Sequence, residues 1–231
     1  MFIFPQRKFV SLAVGLTLGL GLGFFCANTL IFNASPAPTR AAAKAEPTLS
    51  LDEIQNALTT ADARPDDLPL QRKLGLGLYQ YSQLTANTPY LPDIIRLLKR
   101  AQNPADPEVT FALGNTFFSL ARNGATENLS AARECYTQLL RQPKVAADAR
   151  AALGLSYFID RPPQNERAVV EFRQALRSNP QHQGALQGLA TALIRLGQRD
   201  EAAKFLADLT ALNPQHPALN ELRAELANPV K

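Results

Sequence analysis

The tetrapeptide Asn-Pro-Gln-His occurs twice, at 179–182 and 213–216, and the copies lie 34 residues apart. A fixed period of this length marks a chain assembled from stacked supersecondary units, and it narrows the possible folds more than composition does. Each unit leaves apolar surface that only its neighbours can cover, so several copies must occur in succession.

The copies are found by following the spacing outward. In 185–214, Leu189, Ala190 and Leu193 recur at helical spacing, Gly197 marks a turn, Ala202, Leu206 and Leu209 form a second helical seam, and Pro214 closes the unit. The preceding unit carries Leu153, Gly154 and Tyr157, then Ala168, Phe172 and Ala175, closed by Pro180. Before it come Leu113, Gly114 and Phe117, then Ala132, Tyr136 and Leu139, closed by Pro143. The first unit has Leu74, Gly75 and Leu78, with a second helix expected near 93–101 and Pro104 at its end. Small residues let paired helices approach, leucines and aromatics three and four positions away fill the space between them, and proline stops the second helix. Each closing proline precedes the next unit's leucine by 9 or 10 residues. The extra residues in 121–130 and 159–165 therefore fall inside units, between their two helices.

This pattern resembles the tetratricopeptide repeat family over roughly 51–227, with Leu186 where the family's usual tryptophan stands. The resemblance implies an all-α, helix-turn-helix solenoid whose first helices line a concave face. The expected organisation is a tail at 1–8, a transmembrane signal-anchor helix at 9–32, an Ala/Pro-rich linker at 33–49 and the solenoid at 50–228. Within the solenoid we expect a leading helix at 51–63, repeats near 68–104, 107–143, 147–180 and 183–214, and a terminal helix at 217–227. Ser50 and Glu53 have the spacing of a capping box.

The stretch 9–32 holds no charge over 24 residues, about 36 Å of helix, enough to cross a ~30 Å hydrocarbon core. Its apolar run exceeds that of a secretory signal, and the small-x-small sites at 41–45 lie well beyond it. Phe25 stands where a lipoprotein signal needs a small residue before Cys26. A retained anchor is the expectation, with a cleaved signal or a lipidated terminus as alternatives. Ser11, Gly15, Gly19, Gly23 and Ala27 recur at every fourth position, so Gly15, Gly19 and Gly23 are candidates for helix packing, including homodimerisation, in lipid. Arg7 and Lys8 abut the span while Arg40 and Lys44 lie farther from its other end. That places the N-terminus in the cytoplasm and the repeats, in a bacterium, in the periplasm.

Residues 33–231 carry 22 basic and 20 acidic side chains, which gives no electrostatic case for nucleic acid. No set of acid, base, nucleophile and metal ligands converges in the sequence, so neither catalysis nor a cofactor is expected. His182 and His216 read as loop polarity, and Cys135 as a small packed side chain. The candidate ligand surface lies on the first helices, away from the packing seam: Arg72, Leu76 and Tyr79; Phe111, Asn115 and Phe118; Ala151, Leu155 and Phe158; Gln187, Thr191 and Ile194. Tyr79, Phe118, Phe158 and Ile194 occupy one equivalent position, so they either line an apolar groove or pack between neighbouring first helices. Some family members grip a terminal carboxylate here through Lys, Arg and Asn. Arg72 and Asn115 are present, but Leu76, Ala151 and Leu155 replace the other polar groups, so an apolar protein or peptide segment is the expected partner.

The architecture also resembles bacterial envelope assembly factors, such as the periplasmic repeat proteins of c-type cytochrome maturation. The expectation is a membrane-tethered scaffold. Its rivals are a structural subunit acting mainly through the glycine-striped helix, and a cleaved, soluble periplasmic repeat protein.

Overall fold

The computed structural model describes residues 50–85 and 89–227. Among them are ten α-helices, one short 3-10 turn and no strand. The helices are α1 (Leu51–Asp62), α2 (Leu68–Thr85), α3 (Leu91–Arg100), α4 (Pro107–Arg122), α5 (Leu129–Leu139), α6 (Ala146–Phe158), α7 (Asn165–Ser178), α8 (Gln183–Arg195), α9 (Arg199–Leu212) and α10 (Leu219–Ala227). No described helix is long and apolar enough to cross a membrane. The expected span at 9–32, with Gly15, Gly19 and Gly23, lies outside the described residues.

Helices α2/α3, α4/α5, α6/α7 and α8/α9 form four antiparallel pairs. Extensive packing among the described helices runs only between consecutive helices and between neighbouring first helices α2, α4, α6, α8 and α10. The chain is thus a solenoid with the first helices in one row. Helix α1 buries Ile54, Leu58 and Ala61 against the first pair, and α10 buries Leu219 and Leu222 against the last pair. The mostly polar outer faces of these two helices end the stack.

Local signals account for where the helices begin and end. Ser50 caps α1: its Oγ accepts from the Glu53 N–H at 3.2 Å, and its own N–H donates to the Glu53 carboxylate at 2.9 Å. Asp106 caps α4, with Pro107 in the first helical position, where a missing N–H costs nothing. Asn179 and Asn213, which follow α7 and α9, are extended (φ −143° and −145°) because each precedes a proline that excludes the helical conformation. Gly197, with φ 74°, makes the tight turn between α8 and α9 in a backbone conformation that a side chain disfavours. The irregular connections all lie between the two helices of a pair.

The seam between paired helices depends on glycine. A Cβ on Gly114 would lie 2.8 Å from the Tyr136 ring, and one on Gly154 would lie 2.6 Å from the Phe172 ring. The Phe172 ring also meets the next first helix, where a Cβ on Gly188 would lie 2.4 Å away. One aromatic side chain therefore fills the space beside glycines from two successive repeats.

Candidate functional site

The first-helix positions expected to face a ligand do form a repeating row, but it is not an open apolar surface. Leu76, Phe118, Ala151, Leu155, Phe158, Gln187, Thr191 and Ile194 are buried, and Arg72, Tyr79, Phe111 and Asn115 are partly buried. In the last two repeats Leu155, Phe158, Gln187, Thr191 and Ile194 are between 3% and 6% exposed. The Arg195 guanidinium lies over the Phe158 ring, 3.9 Å from its centroid, an arrangement in which the cation meets the negative face of the ring.

The two polar groups that suggested a carboxylate grip are already engaged by neighbouring repeats. The Arg72 Nε donates to Asp106 at 2.6 Å and its Nη2 to Glu108 at 2.6 Å. Asp106 meanwhile accepts from the N–H groups of Glu108 and Val109, which holds the start of α4. Burial works against ionisation of Asp106, but the Arg72 guanidinium and these backbone donors outweigh it and hold the carboxyl below its usual range. Asn115 donates to the Tyr79 hydroxyl at 2.8 Å and accepts from the Tyr136 hydroxyl at 2.9 Å. Burial pushes the Tyr79 hydroxyl up to about 12, against a smaller opposing effect of Asn115, and also pushes Tyr136 well above its ordinary value. Both phenols stay neutral and tie α2, α4 and α5 together. Arg72 and Asn115 thus serve the joint between the first two repeats.

The histidines differ from the sequence expectation as well. His182 and His216 are 3% and 7% exposed, buried and not exposed loop polarity, and His182 is the N-cap of α8. The His182 Nδ1 accepts from the Ala185 N–H at 3.0 Å, so the ring proton sits on Nε2, 3.1 Å from the Asp148 carboxylate of the preceding first helix. His216 folds back over a shorter span, its Nδ1 accepting from the Ala218 N–H at 3.3 Å just before α10 begins. At its first copy the Asn-Pro-Gln-His period starts the next helix and joins it to the repeat before. Cys135 is buried, and burial pushes its thiol up to about 11. Among the described residues no group of three or more His, Cys, Asp or Glu converges as a metal site would.

Sequence reasoning missed the charged groups that lock one repeat to the next. Arg133 on α5 donates to the Ser156 carbonyl at 2.8 Å and to Asp160 at 2.7 Å, and lies over the Tyr157 ring at 4.4 Å. Arg173 on α7 grips Glu201 on α9 with both carboxylate oxygens, at 2.7 and 2.8 Å. Arg96 and Arg100 on α3 both pair with Asp62 at the end of α1. The available signal is an opposite charge about one repeat length away.

Residues 164–226 match the tetratricopeptide repeat family. No curated protein matches the chain. The fold is shared with solved structures at low identity. A crystal structure of MamA superimposes with a TM-score of 0.55 at 22% identity, covering 71% of this chain and 88% of that one. YrrB, described as a TPR protein with an unusual peptide-binding site, gives 0.56 at 13% identity, covering 75% of this chain and 85% of that one. TTC0263 of Thermus thermophilus, a thermophilic TPR protein, gives 0.51 at 23% identity, covering 75% and 83%.

Proposed function

We propose that this chain, a tetratricopeptide-repeat protein, is a non-enzymatic scaffold held at a membrane through 9–32, and that its row of first helices receives an apolar segment of a partner protein. The observation that carries the reading is the apolar side chain at one equivalent position on the first helix of each of the four repeats: Tyr79, Phe118, Phe158 and Ile194. A recurring apolar position on one face suits an extended or helical peptide with regularly spaced anchors. The peptide-binding site ascribed to YrrB, which shares the fold, supports the same use here. Asn115 and Arg72 are held by other groups, which argues for apolar recognition over a carboxylate grip. In a bacterial cell the orientation of the anchor would present the repeats to the periplasm. Tethering raises the local concentration of the groove, so weak contacts suffice. Helix pairing through Gly15, Gly19 and Gly23 would add a second copy.

The test is fluorescence anisotropy of labelled apolar peptides against the full chain in phospholipid nanodiscs. Arg195→Glu removes an exposed cation over Phe158 without touching the packing seam. The contact lies within the folded chain and contributes about 1 kcal/mol to its stability, so the variant should melt about 2–4 °C lower and still bind apolar peptides. Saturable binding of charged but not apolar peptides would overturn the reading.

A further inference from the structure

The two most exposed large apolar side chains among the described residues lie at one corner of the fold. Leu51 opens α1 and Leu84 stands one position before the end of α2, and they are 71% and 70% exposed. Their placement follows from the far ends of the same helices. Gln71 on α2 donates from Nε2 to the Ala61 and Arg64 carbonyls at and just beyond the end of α1, at 2.7 and 2.8 Å. Arg100, which ends α3, donates to Asp62 at 2.9 Å. From that junction 51–61, 90–100 and 71–84 run back along α1, α3 and α2 for about 15, 15 and 20 Å. The start of α1, the start of α3 and the end of α2 therefore come nearly level. The half-buried Tyr81 and Tyr90 meet there edge to face, their ring centroids 6.2 Å apart, with Pro89 and Pro92 exposed beside them.

The charges of this corner exclude an electrostatic partner. Residues 50–54, 80–85 and 89–94 include Asp52, Glu53 and Asp93 and no Lys or Arg. Glu53 is engaged by the Ser50 N–H and Asp93 by Arg96. Exposed leucines beside tyrosines suit the boundary between headgroups and acyl chains, where rings with one apolar body and one wet end concentrate. The position of the corner in the chain points the same way. Ser50, next to Leu51, is joined to the uncharged stretch 9–32 by the 17 residues at 33–49, which span at most about 56–61 Å. A surface on so short a tether meets the bilayer that holds the tether at high effective concentration.

We propose that this corner of the first repeat, with Leu51, Leu84, Tyr81 and Tyr90, enters the headgroup boundary of the bilayer that carries the anchor. The inference rests on the reading of 9–32 as a membrane tether. It adds a second attachment, made by the folded repeats themselves and driven by apolar burial, so it needs no anionic lipid. Two attachments in place of one restrict how the row of first helices can turn relative to the membrane, and they set the first repeat, not the last, against the lipid.

The chain contains no tryptophan, so Leu84→Trp and Leu68→Trp each place a single indole reporter in the full chain. Leu68 opens α2 and is 52% exposed, and it lies about 24 Å from Leu84 along the helix. Each variant is reconstituted in phosphatidylcholine vesicles with and without brominated acyl chains. An interfacial side chain sits roughly 5–10 Å into the headgroup boundary, so brominated lipid should quench Leu84→Trp at least about twofold more than Leu68→Trp. The Leu84→Trp emission should also be the bluer of the two, and salt should leave the difference unchanged. Adding Leu51→Asp, an exposed change whose carboxylate suits the first turn of a helix, should remove most of the difference with the melting temperature unchanged. Equal quenching of the two reporters in vesicles that keep the chain through a carbonate wash would overturn the proposal and leave the tether standing. Release of the chain by carbonate would overturn both. A blue shift without lipid quenching that fades as protein is diluted in lipid would assign the corner to a second copy and overturn the proposal. Quenching seen only with phosphatidylserine present and abolished by salt would overturn it as well.

Discussion

Replacing Gly188 by alanine should destabilise the protein, although alanine is the better helix former. Gly188 lies inside α8, where exchange of glycine for alanine ordinarily gains about 1 kcal/mol. The added Cβ, however, would sit 2.4, 2.6 and 2.8 Å from three atoms of the Phe172 ring, about 1 Å short of ordinary contact. Phe172 is 0% exposed and also lies against Gly154, so the ring has little room to retreat. Overpacking of this kind costs roughly 1–3 kcal/mol. Gly77 in α2 is the matched control, because a Cβ there meets nothing within 4 Å. The propensity gain is common to both variants, so their difference isolates the clash: Gly77→Ala should be more stable than Gly188→Ala by about 1–3 kcal/mol. Urea unfolding of the full chain, followed by far-ultraviolet circular dichroism, reads this as an upward midpoint shift for Gly77→Ala and a downward one for Gly188→Ala. Phe172→Leu introduced with Gly188→Ala should recover part of the loss, with a coupling of about 1 kcal/mol or more. Equal midpoints for the two alanine variants, or additivity in the double variant, would refute the account of the seam.

Other parts of the fold give further expectations. Gln71 is fully buried and donates from Nε2 to the Ala61 and Arg64 carbonyls at 2.7 and 2.8 Å, so Gln71→Ala should cost about 1–3 kcal/mol. Amide exchange should show α1 opening first. Asp106→Ala should lose the cap of α4, about 1 kcal/mol. Asp106→Asn keeps a capping oxygen and gives up only the ion pair with the 41% exposed Arg72 side chain, about 0–1 kcal/mol, so in thermal melts the alanine variant should be the less stable of the two. Burial holds the His216 imidazole below its ordinary 6.5. The unfolded chain takes up that proton first, so the contribution of His216 is complete above about 6.5 and is lost as the pH falls through the lower folded value. His216→Gln should flatten that limb of the stability profile, measured by melting temperature across the acid range.

The sequence revealed the architecture because stacking requires regular spacing: a glycine or alanine opposite a bulky ring, and a proline at each exit. Gly114 opposite Tyr136 and Gly154 opposite Phe172 can be found by counting. What the sequence did not reveal are interactions that depend on which rotamer reaches which neighbour. Arg72 and Asn115 had the residue types of a ligand grip, but each is engaged by groups 21–36 residues away, Glu108 and Asp106 for one, Tyr79 and Tyr136 for the other. His182 and His216 were found through their period, yet their burial depends on Nδ1 folding back onto the next helix, a local geometry with the same sequence signature as an exposed polar turn. Gly188 shows the same limit. It lies off the repeat consensus, and only the position of the neighbouring ring explains it.

The shared ring has a consequence for how such an array can be gained or lost during evolution. Repeat arrays grow by duplicating or deleting one unit at a time, which works when every unit carries its own complete set of fitted surfaces. Here the side chain lies on α7 while the second vacancy that accommodates it lies on α8, at a glycine that the family pattern does not require. Copying 183–214 alone would set a Gly188 equivalent against Leu206, the residue at the Phe172 position of that unit, and leave a void. A duplication that keeps this ring's packing would begin at 147 and carry both repeats.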